Sequence, residues 1–142
     1  MFYEQRMDVD GLTPTDLRAE YESDLAGVIE TAGVDSIEAE TAVERATLQA
    51  LADGESPSLS LEEASAILAF ADDAPDAETV REIACEHLLL GMTTGVMDVD
   101  AVSRGLTLEL DPKEIQQKIE RRAPMSFEEF VHIQHVIASN QR

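Results

Sequence analysis

One cysteine, no tryptophan, and lysine only at Lys113 and Lys118 leave this chain short of several kinds of chemistry. A lone Cys85 excludes an intramolecular disulfide framework and a four-thiolate zinc site. No phosphate-binding glycine loop, Gly-x-Ser-x-Gly elbow or dinucleotide fingerprint is present, so the chain is expected to be non-enzymatic and to need no cofactor. The longest apolar stretch, Leu88 to Met97, is broken by glycines and threonines and too short to span a bilayer. Met1 to Asp10 lacks the basic start and apolar stretch of a signal peptide. These absences point to a cytoplasmic protein with no membrane partner.

Acid is what the chain has in excess. Thirty Asp and Glu oppose ten Lys and Arg, a net charge of -20 on 142 residues. Self-repulsion on that scale strains a compact state at ordinary salt, whereas a Debye length of roughly 3 Å in molar salt removes most of the strain. A halophilic surface is the reading that follows. The excess lies in residues 1–103, which hold 24 acids and four bases, while residues 104–142 hold six of each. The locally neutral C-terminal segment is therefore the place where a polyanion could approach.

Hydrophobic periodicity and capping signals predict an all-α, single-domain bundle of about six or seven helices, with residues 1–96 as an acidic part and 97–142 as a smaller unit. Thr13 and Pro14 open the first helix, with Leu17, Tyr21, Leu25, Val28 and Ile29 inward until Gly33. A second helix is expected from Asp35 or Ser36 to Gly54, and a third follows the Ser60/Glu63 capping box. The fourth runs from about Ala77 to Leu90, with Gly91 and Gly95 in the connection beyond it. Asp98 caps a short fifth helix ended by Gly105. Asp111, Pro112 and Glu114 start a sixth that carries Ile115 and Ile119 and ends near Arg122. Ser126 and Glu129 box the last, with Phe127, Phe130, Ile133 and Ile137 inward. Leu106, Leu108 and Leu110 alternate like a strand but lack a partner, and read as an extended connector. Met-Asp-Val-Asp occurs at 7–10 and at 97–100. Gly11 follows Asp8 too soon for an EF-hand, so both copies read as helix-start segments.

The last third of the chain resembles the Cro/repressor type of helix-turn-helix. Ala101 and Gly105 have that family's small-residue spacing, and Ile119-Glu120-Arg121-Arg122-Ala123-Pro124 looks like the end of its second helix. The Gly105 to Asp111 connection is longer than that family's turn. The resemblance implies a DNA-reading face opposite Ile115 and Ile119, made of Lys113, Gln117 and Arg121 with Gln116 and Glu120 beside them. Gln suits adenine, Arg guanine and Lys phosphate, although the same residue types also suit an ordinary solvated helix. Over most of its length the chain is also similar to an uncharacterised family of small acidic haloarchaeal proteins. The features that carry this are Leu12-Thr13-Pro14 to Tyr21 and Ile115-Gln116-Gln117-Lys118-Ile119-Glu120 to Ala123-Pro124-Met125. That resemblance brings no catalytic residues.

Other groups carry alternatives. Glu129, His132 and His135 have the spacing of ligands on one helix face, yet a di-iron bundle needs a second Glu-x-x-His pair, and none exists. His87 reads as a hydrogen-bonded core histidine and Cys85 as a buried thiol. The first helix and the Leu88 to Met97 stretch offer more apolar surface than one helical layer needs. An interaction module, binding a protein partner or forming a homodimer, is therefore the rival to DNA binding.

Overall fold

The computed structural model describes residues 2–141. It contains α1 (Pro14–Ala32), α2 (Val34–Glu40), α3 (Arg45–Ala52), α4 (Leu61–Leu68), α5 (Ala77–Thr94), α6 (Val99–Gly105), α7 (Pro112–Ile119) and α8 (Phe127–Ser139). No strand occurs among the described residues, and Leu106 to Leu110 is the expected connector, closed by a 2.7 Å hydrogen bond from the Ser103 hydroxyl to the Leu110 carbonyl. The fold is all-α and single-domain, built on one contiguous core that runs from Phe2 to Ala138.

Among the described residues eight helices form, close to the six or seven expected, and the expected second helix is two. Thr41 breaks it: its hydroxyl donates to the Ile37 carbonyl at 2.7 Å and accepts from the Val43 N–H at 3.2 Å. A side chain that offers the backbone an alternative partner stops the helical ladder.

α8 is the centre of the molecule. It packs on α1, α4, α5 and α6, and eight of its 13 residues are buried. Its start is tied to that of α4. The Leu61 N–H donates to the Met125 carbonyl (2.9 Å) and the Phe127 N–H to the Leu59 carbonyl (2.7 Å), which sets the two Ser-x-x-Glu capping boxes side by side.

Two glycines let neighbours approach α8 closely. A Cβ on Gly91 would stand 2.7 Å from Ile137 Cγ2, and one on Gly105 would stand 2.7 Å from Val136 Cγ1. Gly91 thus lies inside α5, which runs on to Thr94, and does not end it at Leu90 as its residue type had suggested.

The N-terminal segment closes the core from outside the helices. Phe2 is 2% exposed and sits edge-on to Tyr21, Phe127 and Phe130, with ring centroids 6.2, 5.2 and 5.8 Å away. Aromatic pairs at such distances add about 0.5–1.5 kcal/mol each beyond their area. The Tyr21 hydroxyl donates to Gln134 Oε1 at 2.6 Å, so the cluster carries its polar group satisfied. Burial pushes that phenol up to about 12, against the opposing pull of the Gln134 hydrogen bond.

Candidate functional site

α7 is short, and local chemistry starts and stops it. Asp111 accepts the Glu114 N–H at 2.8 Å, a bond that holds its carboxyl below the usual range, and Pro112 fills the first helical position. At the far end the Arg121 N–H bonds to the Lys118 carbonyl (3.1 Å) and the Arg122 N–H to the Gln117 carbonyl (2.8 Å). This is a Schellman closure with Arg121, at φ +64°, in the left-handed position that glycine usually takes.

That closure divides the residues expected to read DNA. Lys113, Gln116 and Gln117 are exposed on α7, with Ile115 and Ile119 buried behind them. Arg121 has left the helix, and its guanidinium stands 3.8 Å from Glu82 on α5. Glu120 accepts from Gln116 Nε2 at 3.1 Å and lies 3.5 Å from Arg122. Exposed Glu114 and Glu120 therefore share the surface with Lys113 and Gln117.

Glu129, His132 and His135 do not converge. Glu129 accepts the Ser126 N–H (2.8 Å) and the Lys118 ammonium (2.5 Å). Burial raises its pKa, but those hydrogen bonds outweigh burial and hold the carboxyl below its ordinary value. His135 Nε2 donates to the Leu12 carbonyl at 2.6 Å. His132 lies near Thr107 and Glu128, and burial lowers its pKa. Among the described residues no three His, Cys, Asp or Glu are grouped to hold a metal ion. Cys85 is buried, and burial pushes its thiol up against the pull of Arg121 and Arg81, so little thiolate forms at neutral pH. His87 is half-buried, with Nδ1 unpartnered among the described residues rather than hydrogen-bonded as its position had suggested. Asp98 caps α6, whereas Asp8 in the first Met-Asp-Val-Asp copy accepts the Asp10 N–H in a turn ahead of α1.

Two further surfaces stand out, one within the Leu88 to Met97 stretch already noted for its apolar surface and one that residue spacing did not show. The first is the C-terminal end of α5, which also closes as a Schellman motif: the Val96 N–H bonds to the Thr93 carbonyl (3.2 Å) and the Met97 N–H to the Met92 carbonyl (2.8 Å). Val96 takes the left-handed position at φ +54° and is 78% exposed, beside a helix end where Leu89 and Leu90 are 45% and 48% exposed. The second is a groove of about 1030 Å³ between the α2–α3 turn, α4 and the start of α5. Val43, Ala66 and Phe70 line its apolar part and Glu40, Glu62 and Glu78 its acidic part. The one local signal for it is Phe70, an aromatic just beyond a short helix and ahead of the Asp72-Asp73 break.

A family model, that of the family of unknown function DUF5791, matches residues 17–140. The chain belongs to that family. No curated protein and no solved structure matches it. The match takes in both surfaces and all of α7, while Phe2, which fills the centre of the aromatic cluster, lies outside it. No helix among the described residues is long and apolar enough to cross a membrane.

Proposed function

We propose that this DUF5791 chain is a non-enzymatic, salt-adapted interaction module of a haloarchaeal cytoplasm that pairs with a second copy of itself through the C-terminal end of α5. The observation that carries this reading is Val96. A β-branched side chain in the left-handed region costs about 1–2 kcal/mol, and at 78% exposure it gains almost no burial in return. The helix closure is made by its backbone and does not need an exposed valine side chain, whereas with exposed Leu89 and Leu90 toward the same helix end that side chain suits a two-fold apolar contact. The net charge of -20 opposes pairing at low salt, and molar salt screens that repulsion.

The test is molar mass in solution, by light scattering on a sizing column, at low KCl and in molar KCl. The expected result is a monomer in the first and a dimer in the second, with Leu89→Glu monomeric in both. A wild-type monomer in molar KCl at high protein concentration overturns the reading.

The exposed Lys113, Gln116 and Gln117 on α7 favour nucleic-acid-associated regulation as a second reading. The acids beside them count against it. Binding to native genomic fragments in molar KCl that is lost in a Lys113→Ala/Gln117→Ala variant would support it. Absence of such binding in the parent removes it.

A further inference from the structure

We infer that the groove between the α2–α3 turn, α4 and the start of α5 is a docking site for a basic amphipathic helical segment of another protein. At about 1030 Å³ it lies at the upper end of the roughly 300–1,000 Å³ of small-molecule pockets. It is also open to solvent, and an open groove with an apolar floor is the geometry that receives the apolar face of a helix.

The floor is made by Val43 from the α2–α3 turn and by Ala66 and Phe70 from α4 and its end. Small alanine side chains beside a half-exposed aromatic ring leave room for apolar anchors spaced one helical turn apart.

The rim selects charge. Glu63 and Asp76 also line the groove, but both are committed as caps, accepting the Ser60 N–H (2.9 Å) and the Thr79 N–H (2.8 Å). Glu40, Glu62 and Glu78 have no hydrogen-bond or ion-pair partner among the described residues, and Arg81 is the single base in the lining. Three free carboxylates around an apolar floor complement Lys or Arg flanking Leu-like anchors. A second copy of this chain, with thirty acids against ten bases, offers them little of that complement at direct contact. The occupant is therefore a different protein, and the groove is independent of the α5 surface used for self-pairing.

Fluorescence anisotropy of a labelled synthetic amphipathic peptide, with Lys and Arg on one face and Leu at helical spacing on the other, tests this with the full chain. Molar KCl is essential, because at low salt any basic peptide adheres to so acidic a surface. The expected result is saturable binding that weakens by about ten-fold when the peptide's leucines become alanine or when Glu62 and Glu78 are reversed to Lys. Amide resonances around Phe70 should shift. Thermal unfolding of the reversed variant serves as the control for folding, and Gln replacements at Glu62 and Glu78 provide a milder second variant. Leu89→Glu, which breaks self-pairing, should leave peptide affinity unchanged. No binding of the amphipathic peptide, equal binding of the alanine peptide, equal binding by both charge variants, or shifts confined to Leu89 and Leu90 would overturn the inference.

Discussion

Replacing Val96 with glycine should stabilise the lone chain and weaken its self-pairing. Glycine at the left-handed position of a Schellman closure relieves about 1–2 kcal/mol of backbone strain. Against this stands the larger unfolded-state entropy of glycine, about 0.5–1 kcal/mol. The lost side chain subtracts little more, because Val96 is 78% exposed. The net expectation is a gain of about 0.5–1 kcal/mol, which for a chain of this length is an upward shift of about 2–4 °C in Tm. Val96→Ala removes the branch and keeps the Cβ, so it should fall between the two. Thermal and urea unfolding followed by circular dichroism, at low protein concentration where pairing is negligible, would read the change, since pairing itself adds stability with concentration. Sedimentation in molar KCl would read the second half, a weaker dimer. A Val96→Gly variant no more stable than wild type would refute the strain argument, and one that is stabilised yet pairs as well would refute the role given to the side chain.

Three further perturbations follow from the core and its ion pairs. Phe2→Ala should lower stability by about 3–5 kcal/mol in denaturant titration, because it empties the centre of a four-ring cluster. Gly105→Ala should cost about 1–3 kcal/mol, since its Cβ would meet Val136 Cγ1 at 2.7 Å; pairing it with Val136→Ala should recover part of that loss, and no recovery would point to the helix end instead of the contact. Glu129 has a depressed folded pKa, so its contribution is present above the unfolded value and lost as pH falls through the folded one. Glu129→Gln should therefore lower stability at neutral pH and flatten the acid limb of the stability–pH curve below about pH 4.5.

Helix starts were legible in the sequence because a cap is a local event. Thr13, Ser60, Asp98, Asp111 and Ser126 each bond to a backbone N–H three residues on, and that spacing is written in the chain. Helix ends were less legible. Gly54 closes α3 at φ +81° as glycine should, but Val96 and Arg121 occupy the same geometry without the residue that announces it. Gly91 misled for the opposite reason: its small size serves a contact with Ile137, distant in sequence, and not a turn. Phe2 precedes any periodic segment, so no pattern assigned it to the core. Lys113, Gln116 and Gln117 are exposed as the period of α7 required, while Arg121 left that face once the helix closed after Ile119. Apart from Phe70, nothing in the sequence marked the groove, because its floor and rim come from the α2–α3 turn, α4 and α5, which meet only in the folded chain.

The uneven charge has a structural cause in part. Residues 104–142 are neutral, and their last helix buries eight of its 13 residues, with α1, α4, α5 and α6 all packed on it. A helix enclosed by four neighbours has little solvent-facing surface for acids. Its two acids, Glu128 and Glu129, lie at its first turn, where the helix dipole favours them and where Arg18 (3.9 Å) and Lys118 (2.5 Å) meet them. Burial of α8 thus accounts for the small number of acids in this segment, while its six bases, among them Lys113, Lys118, Arg121 and Arg122 on and just after α7, have no such cause. Three free carboxylates, those of Glu40, Glu62 and Glu78, line the groove beside α4 and α5, and exposed Leu89, Leu90 and Val96 lie toward the far end of α5. A search for partners is best directed at those two faces.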